Sequence, residues 1–194
     1  MSDALRTDDY VKASYTYADY LEWEGPERYE LLSGEAYMMA SPTVAHQRIS
    51  KKLLVQFDNW LEGKPSEIFS APLDVRPFPK KNKSDSTIVQ PDLLVVCDDN
   101  KLSKGSVDGA PDLVIEIISP SNTHSKLFLK FQYYLKAGVR EYWVVDPESK
   151  SIQVHVYDNG RYISTFYNKD ANIPVAILPG LKITLKDLWA KAKV

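Results

Sequence analysis

The chain has 194 residues, of which 44% are hydrophobic and 26% are charged, and its formal net charge is −2. This length and composition predict one globular domain over residues 1–194, and the slightly acidic balance gives no sign of a strongly basic surface for nucleic acid. The single cysteine, Cys97, excludes an internal disulfide. Because no signal-peptide pattern and no run of about 18 apolar residues is present, we expect a cytoplasmic protein without membrane contact.

The N-terminal third of the chain predicts a short helix, a hairpin and a long helix. Residues 1–27 are expected to be peripheral, with Thr16 as the N-cap of one or two helical turns. The stretch "RYELLSGEAYMM", residues 28–39, predicts two short strands joined at a Ser-Gly turn. From Thr43 the apolar residues recur at helical spacing until Gly63, which predicts a long amphipathic helix.

Three strand-like runs, a second helix and another strand follow. The runs are "EIFSAPLDVRPF", "IVQPDLLVVC" and "PDLVIEII". The second helix is expected over about 123–137, and "EYWVVDP" predicts the next strand. The stretch "SIQVHVYDNGRYISTFY" predicts a further hairpin, and "TLKDLWAKA" predicts a short C-terminal helix. The predicted core order is therefore helix, three strands, helix and strand.

Acidic side chains interrupt two of the apolar runs. Because side chains alternate along a strand, Asp112 and Glu116 share a face, but about 13 Å separates them, which is too far for one metal ion. Asp112 is therefore expected to make a structural hydrogen bond. Asp92 lies on the preceding run, and paired strands are only about 4.8 Å apart, so Asp92 and Glu116 could converge on one ion. The alternatives are that a lysine holds Glu116 and that Asp92 caps the turn after Pro91.

A polar stripe marks the second predicted helix. Lys126, Lys130 and Tyr134 are spaced at i, i+4 and i+8, and two lysines one turn apart repel unless they face acids or phosphates. Aspartate, glutamate and lysine together suit phosphodiester hydrolysis, in which carboxylates hold a hard divalent cation and lysine orients water or neutralises charge. The alternatives remain a solvated helix lysine and a half-buried tyrosine.

These residues and several longer stretches resemble a known family. The matching stretches are "YELLSGE", "SPTVAHQ", "QPDLLVV", "PDLVIEIISPS", the pair Lys130 and Tyr134, and "AGVREYWVVDP". Over residues 28–157 the chain resembles the Uma-two family, described as a "putative restriction endonuclease" domain and a branch of the PD-(D/E)XK nuclease superfamily. The resemblance implies an α/β (α+β) fold with a restriction-endonuclease-like core. That core is a central mixed β-sheet flanked by helices (αβββαβ), here with an N-terminal hairpin and extra C-terminal strands.

The resemblance also implies roles for individual residues. Asp92 and Glu116 would bind metal, helped by the backbone carbonyl of Ile117, and Glu116 would be the (D/E) residue of the superfamily motif. Ile118 stands where the superfamily motif has lysine. In this family the lysine lies on the second helix, which makes Lys130 the catalytic lysine.

Five further residues are candidates for supporting roles. Lys126 stands where the family usually has an acid, and at most we expect it to contact the substrate. Glu30 is a candidate additional ligand or base, although an acid in a hairpin is more often exposed. His46 and Gln47 begin the first long helix and match the family, so they could reach the site from the side; His46 could equally cap the helix. Tyr134 could hydrogen-bond a phosphate.

The leading functional hypothesis is a Mg²⁺- or Mn²⁺-dependent endonuclease that hydrolyses DNA. One alternative is a catalytically silent protein of the same fold that binds nucleic acid or a protein partner, and another is a hydrolase of small phosphorylated molecules. Lysines in loops 80–83 and 101–104 are candidate contacts to a duplex backbone. Because cutting both strands of a duplex requires two sites, we also expect a homodimer, built on the aromatic C-terminal hairpin.

Overall fold

The computed structural model describes residues 14–119 and 124–190, and its centre is a six-stranded mixed sheet. The helices are α1 (Tyr17–Tyr20), α2 (Val44–Leu61) and α3 (His124–Ala137). The strands are β1 (Tyr29–Leu32), β2 (Glu35–Met38), β3 (Glu67–Ser70), β4 (Asp74–Arg76), β5 (Leu93–Val96), β6 (Ser106–Asp108), β7 (Leu113–Ile117), β8 (Glu141–Asp146), β9 (Ser151–Asp158), β10 (Arg161–Tyr167), β11 (Asn172–Pro174) and β12 (Lys182–Thr184). Within the described residues, no helix combines the length and the apolar character needed to cross a membrane.

The central sheet has the strand order β10-β9-β8-β7-β5-β3. Strands β7 and β8 are parallel, while the other neighbouring pairs are antiparallel. A parallel pair needs a crossover connection, and α3 lies in the segment that connects β7 to β8. The predicted central mixed sheet flanked by helices is therefore confirmed.

The two faces of the sheet carry different helices. On one face Leu53 and Phe57 of α2 pack in one apolar cluster with Ile115 and Ile117 of β7. On the other face Tyr134 of α3 packs in a second cluster with the β5 and β7 side chains that point the opposite way. Because side chains alternate along β7, Glu116 must point towards the α3 side. The fold therefore places the Glu116 side chain towards the polar stripe of α3, which consists of Lys126, Lys130 and Tyr134.

The β1–β2 hairpin brings an N-terminal acid into the interior. Its turn residues Ser33 and Gly34 both have positive φ, 52° and 86°, which suits a tight two-residue hairpin. Leu31 exchanges backbone hydrogen bonds of 2.8 and 2.9 Å with Ile88, which attaches the hairpin to the segment before β5. Glu30 is consequently buried next to the start of β5.

Two element predictions are wrong. The run 67–78 forms two strands: β3 lies at the edge of the central sheet, whereas β4 pairs in parallel with β6 in a separate small sheet. The predicted C-terminal helix over 184–192 does not form within the described residues: Thr184 ends β12, and residues 186–190 make successive turns, with Leu188 N donating to Leu185 O. The last two residues of that prediction, 191 and 192, lie outside the described residues. Nucleating so short a helix is unfavourable, and the turns bury the leucines of this stretch without it.

Candidate active site

Glu116 is the buried acid at the centre of the site. Its Oε1 atom lies 2.6 Å from Lys130 Nζ and accepts a 2.9 Å hydrogen bond from the Tyr134 hydroxyl. Burial raises the pKa of Glu116 to about 7. The positive charge of Lys130 lowers this pKa, but the negative charges of Asp92 and Glu30 raise it further, so Lys130 offsets the burial only in part. A carboxylate in this setting gains from an additional nearby cation.

Asp92 lies immediately before β5, and the antiparallel pairing of β5 with β7 brings it to the same end of the sheet as Glu116. Its Oδ2 accepts a 2.7 Å hydrogen bond from Ile117 N, and its Oδ1 lies 3.1 Å from His46 Nε2. Asp92 and Glu116 line one recess of about 250 Å³, together with Lys130. The structure thus brings the predicted acid pair and the predicted lysine together.

Glu30 connects the two lysines of the α3 stripe. Its Oε1 accepts a 2.8 Å hydrogen bond from Lys130 Nζ and a 3.0 Å bond from Gln90 N, while its Oε2 lies 2.9 Å from Lys126 Nζ. Burial would raise the pKa of Glu30, but the charges of Lys130 and Lys126 outweigh it and lower the pKa to about 2. Glu30 is thus a buried partner of both lysines, not the exposed strand residue that hairpin acids usually are.

Lys130 lies between two carboxylates. Burial alone would lower its pKa, but the adjoining Glu116 and Glu30 carboxylates raise it above the ordinary lysine value. The ammonium therefore stays charged. Its arrangement suits donation of hydrogen bonds and charge neutralisation better than removal of a proton.

His46 and Gln47 lie in the first turn of α2. Thr43 is the N-cap of this helix, and its hydroxyl accepts a 3.2 Å hydrogen bond from His46 N, so the His46 ring is free to reach Asp92. Among the residues that the structure describes, His46 Nδ1 is buried without a hydrogen-bond partner. Gln47 is exposed and lines the same recess.

The acid pair fits a sparsely ligated divalent cation. Over the described ranges, no three His, Cys, Asp or Glu side chains gather where they could hold a metal ion. Asp92 and Glu116 nevertheless supply hard oxygen donors to the recess, and Mg²⁺ is commonly bound through one or two carboxylates with waters completing its shell. The charge repulsion at Glu116 favours such an ion.

Sequence reasoning missed two cationic residues of the recess, Arg28 and Lys51. Lys51 follows Gln47 by four residues on α2, so the helical period could have placed it on the same face. Arg28 precedes β1, and its position depends on how the hairpin attaches to a segment 60 residues away in sequence, as the hydrogen bond from Gln90 N to Glu30 Oε1 shows. Nothing local in the sequence signals that placement.

Asp112 is separate from the site and has a structural role. Its carboxylate accepts hydrogen bonds from Cys97 N at 2.7 Å and from the Arg140 guanidinium at 2.7 and 3.1 Å. This agrees with the structural hydrogen bond expected for it.

Replacing Asp112 with alanine should lower the free energy of unfolding by about 1 kcal/mol, because the partly buried Cys97 N–H and the Arg140 guanidinium lose their acceptor. Urea denaturation of Asp112→Ala measures this, with Asp58→Ala on the exposed side of α2 as the matched control. Equal stability of both variants and wild type would contradict the structural role.

Two known proteins are similar to this chain. An uncharacterized protein of Synechocystis sp., slr1290, is 29% identical over 153 residues, which are 77% of this chain and 78% of that protein. A crystal structure from Anabaena variabilis, described as "a putative nuclease belonging to DUF820", has a TM-score of 0.74 and 21% identity. The match covers 92% of this chain and 99% of that one, and it confirms the predicted fold class.

The family assignment rests on most of the chain. The Uma2 family model, described as "Putative restriction endonuclease", matches residues 17–186. This description supports a nuclease, a hydrolase that acts on phosphodiester bonds. The chain therefore belongs to the Uma2 family.

Proposed function

We propose that this protein is a Mg²⁺-dependent endonuclease that hydrolyses phosphodiester bonds of DNA. The observation that carries the proposal is the meeting of Asp92, Glu116 and Lys130 in one recess of a chain whose family is described as nucleolytic. Paired carboxylates beside a buried ammonium suit the binding of a divalent cation and of a phosphate group.

Each residue of the recess has a defined task in this proposal. Asp92, Glu116 and the Ile117 carbonyl would hold Mg²⁺ or Mn²⁺, which when bound supplies Lewis acidity to the phosphate and lowers the pKa of water. Lys130 donates hydrogen bonds to the attacking water or to the phosphate oxygens on which negative charge develops. Tyr134 orients Glu116 through its hydroxyl.

The surrounding residues position these groups. His46 and the backbone N–H of Ile117 fix the two oxygens of Asp92. Glu30 holds both lysine ammoniums, so we propose it as a positioning residue and not as a metal ligand. Lys126 would contact a substrate phosphate, and the exposed Gln47 would contact the substrate from the α2 side of the recess.

A plasmid-nicking assay tests the proposal. Supercoiled DNA should be converted to open-circular or linear forms with Mg²⁺ or Mn²⁺, and conversion should stop in excess EDTA. Intact supercoiled DNA with every divalent cation would contradict the proposed activity, and equal conversion in EDTA would contradict its dependence on metal.

A catalytically silent binding protein is the second candidate, and the lysine contacts favour it. Lys130 and Lys126 already neutralise Glu30, and Lys130 also neutralises part of the charge of Glu116, so the fold compensates much of the buried negative charge without a metal ion. This candidate predicts DNA binding in a gel-shift assay with no cleavage under any cation.

We also propose a homodimer that forms through the edge strand β10. This strand ends the central sheet, so its outer backbone groups are unpaired within the described sheet, and Phe166 is 62% exposed. Light scattering should give a dimer for wild type and a monomer for Phe166→Asp. Leu21→Asp, an equally drastic change at an exposed leucine elsewhere, should remain dimeric. A monomeric wild type at high concentration would contradict the dimer.

A further inference from the structure

We propose that the recess receives an unpaired strand of nucleic acid in preference to an intact duplex. Arg28 and Lys51 would contact its phosphates, and Met38 would lie against its bases. The inference rests on the proposed nuclease function and specifies the substrate class of the same site.

The first argument is that the reacting groups are recessed. The Glu116 side chain is 3% exposed and the Asp92 side chain 18% exposed, at the floor of a recess of about 250 Å³. That volume is near the lower end of small-ligand pockets, which begin at about 300 Å³. Duplex DNA is stiff, with a persistence length of about 50 nm, and carries its phosphates on its outer surface. A flexible single strand can bend so that one phosphate reaches groups buried this deeply, whereas a stiff duplex cannot bend so sharply over the width of the recess.

The second argument is the small number of available cations. Arg28 and Lys51 line the recess, and neither forms an ion pair with another residue in the described part of the chain. Lys126, which is paired with Glu30, would add a third phosphate contact. A protein that binds a duplex can make about 6–10 phosphate contacts. So few cations beside the acids suit the local backbone of one strand.

The third argument concerns the lysine-rich loop 101–104, which lies away from the recess. Lys101 Nζ donates to Ala110 O at 2.9 Å and lies 3.8 Å from Asp112 Oδ2. Asp112 precedes Glu116 by four residues, which is about 13 Å along a strand. The loop expected to hold a duplex beside the acids is therefore at the opposite end of β7.

The fourth argument is the apolar rim of the recess. Met38 lines it and is 65% exposed, and Met39 and Pro42 continue the same wall. Methionine is flexible and polarisable, so it adapts to irregular apolar surfaces. An unstacked base needs an apolar surface to cover its faces, whereas the bases of a duplex already stack on one another.

Binding measurements without divalent cation test the preference for single strands independently of cleavage. We expect fluorescence anisotropy to show at least about tenfold tighter binding of a single-stranded DNA oligonucleotide than of the duplex of the same sequence. Arg28→Ala and Lys51→Ala should each weaken single-strand binding and reduce the slope of log affinity against log salt by about 0.7. Met38→Ala should weaken binding without changing the slope. Lys169→Ala, in an exposed turn, is the matched control and should bind as wild type does.

The outcomes distinguish this inference from the proposed function. Equal or tighter binding of the duplex, or Arg28 and Lys51 variants that bind single strands as wild type does, would overturn the inference. If the duplex is also cut at least as fast as the single strand with Mg²⁺, the nuclease proposal stands and only the substrate class is wrong. If neither DNA is bound or cut, both proposals fail. Each variant should also unfold at the same temperature as wild type, which shows that a change in affinity comes from the lost contact in the recess and not from a loss of folding.

Discussion

The Asp92→Asn variant is expected to cleave DNA at least about 10³-fold more slowly than wild type. Asparagine keeps the size of the side chain and an oxygen that can accept from Ile117 N, but it removes the negative charge of one of the two carboxylates proposed to bind metal. Losing a cation that stabilises the transition state by several kcal/mol reduces the rate by this order. Initial rates of plasmid nicking at a fixed Mg²⁺ concentration measure the effect.

The control for Asp92 is Asp58→Asn, which makes the same change on the exposed side of α2. It should cleave at the wild-type rate. Asp92→Asn should also unfold cooperatively near the wild-type temperature, so that loss of activity is not loss of fold. Cleavage by Asp92→Asn within a few-fold of wild type would exclude Asp92 from the metal site.

Loss of the Lys130 ammonium is expected to affect both rate and stability. Lys130→Met keeps the length of the side chain but leaves Glu116 and Glu30 without the cation they share. Removing one partner of a buried charge pair costs about 3–5 kcal/mol of unfolding free energy. Removing a transition-state contact should also slow cleavage by about 10²-fold or more. Urea denaturation and single-turnover cleavage measure the two effects separately.

A second substitution separates catalysis from folding. The double variant Lys130→Met with Glu30→Gln removes one of the two carboxylates that lose Lys130, so it should recover part of the lost stability but none of the lost rate. Lys126→Met should mainly weaken DNA binding and leave the rate at saturating DNA near that of wild type. Loss of cleavage in Lys126→Met with normal cleavage in Lys130→Met would reverse the assignment of the two lysines. Full recovery of the rate in the double variant would show that Lys130 acts only on stability.

The local periods of the sequence predict much of this site. Alternation along β7 separates Glu116 from its apolar neighbours, and the four-residue spacing on α3 places Lys126, Lys130 and Tyr134 on one face. Both patterns follow from backbone geometry, so they hold wherever the strand and the helix form. The structure shows the expected consequence, since Lys130 and Tyr134 both contact Glu116.

The role of Glu30 could not be read from local pattern. It contacts Lys130 across 100 residues of sequence, and its burial depends on the backbone pairing of Leu31 with Ile88. The sequence around an acid in a hairpin is the same whether that side of the hairpin is exposed to solvent or covered by another element. The small β4–β6 sheet escaped prediction for a similar reason, because its two strands are separated by 29 residues between Arg76 and Ser106.

The C-terminal stretch shows how spacing can mislead. Leu185, Leu188 and Trp189 have helical spacing, yet all three are buried by a chain of turns that packs on the core cluster of α2. Spacing of three and four residues is shared by one helical turn and by consecutive tight turns. In so short a segment tertiary packing decides between them, because the helix lacks enough hydrogen bonds to offset nucleation.

Calorimetric titration of Mg²⁺ into wild type and Asp92→Asn tests the central claim most directly. The proposed site predicts saturable Mg²⁺ binding to wild type, strengthened by a non-cleavable DNA strand, and its loss in Asp92→Asn. It also predicts that Asp58→Asn binds Mg²⁺ as wild type does. Absence of Mg²⁺ binding by wild type even with DNA present, or equal binding by wild type and Asp92→Asn, would contradict the assignment of Asp92 and Glu116 as the metal centre.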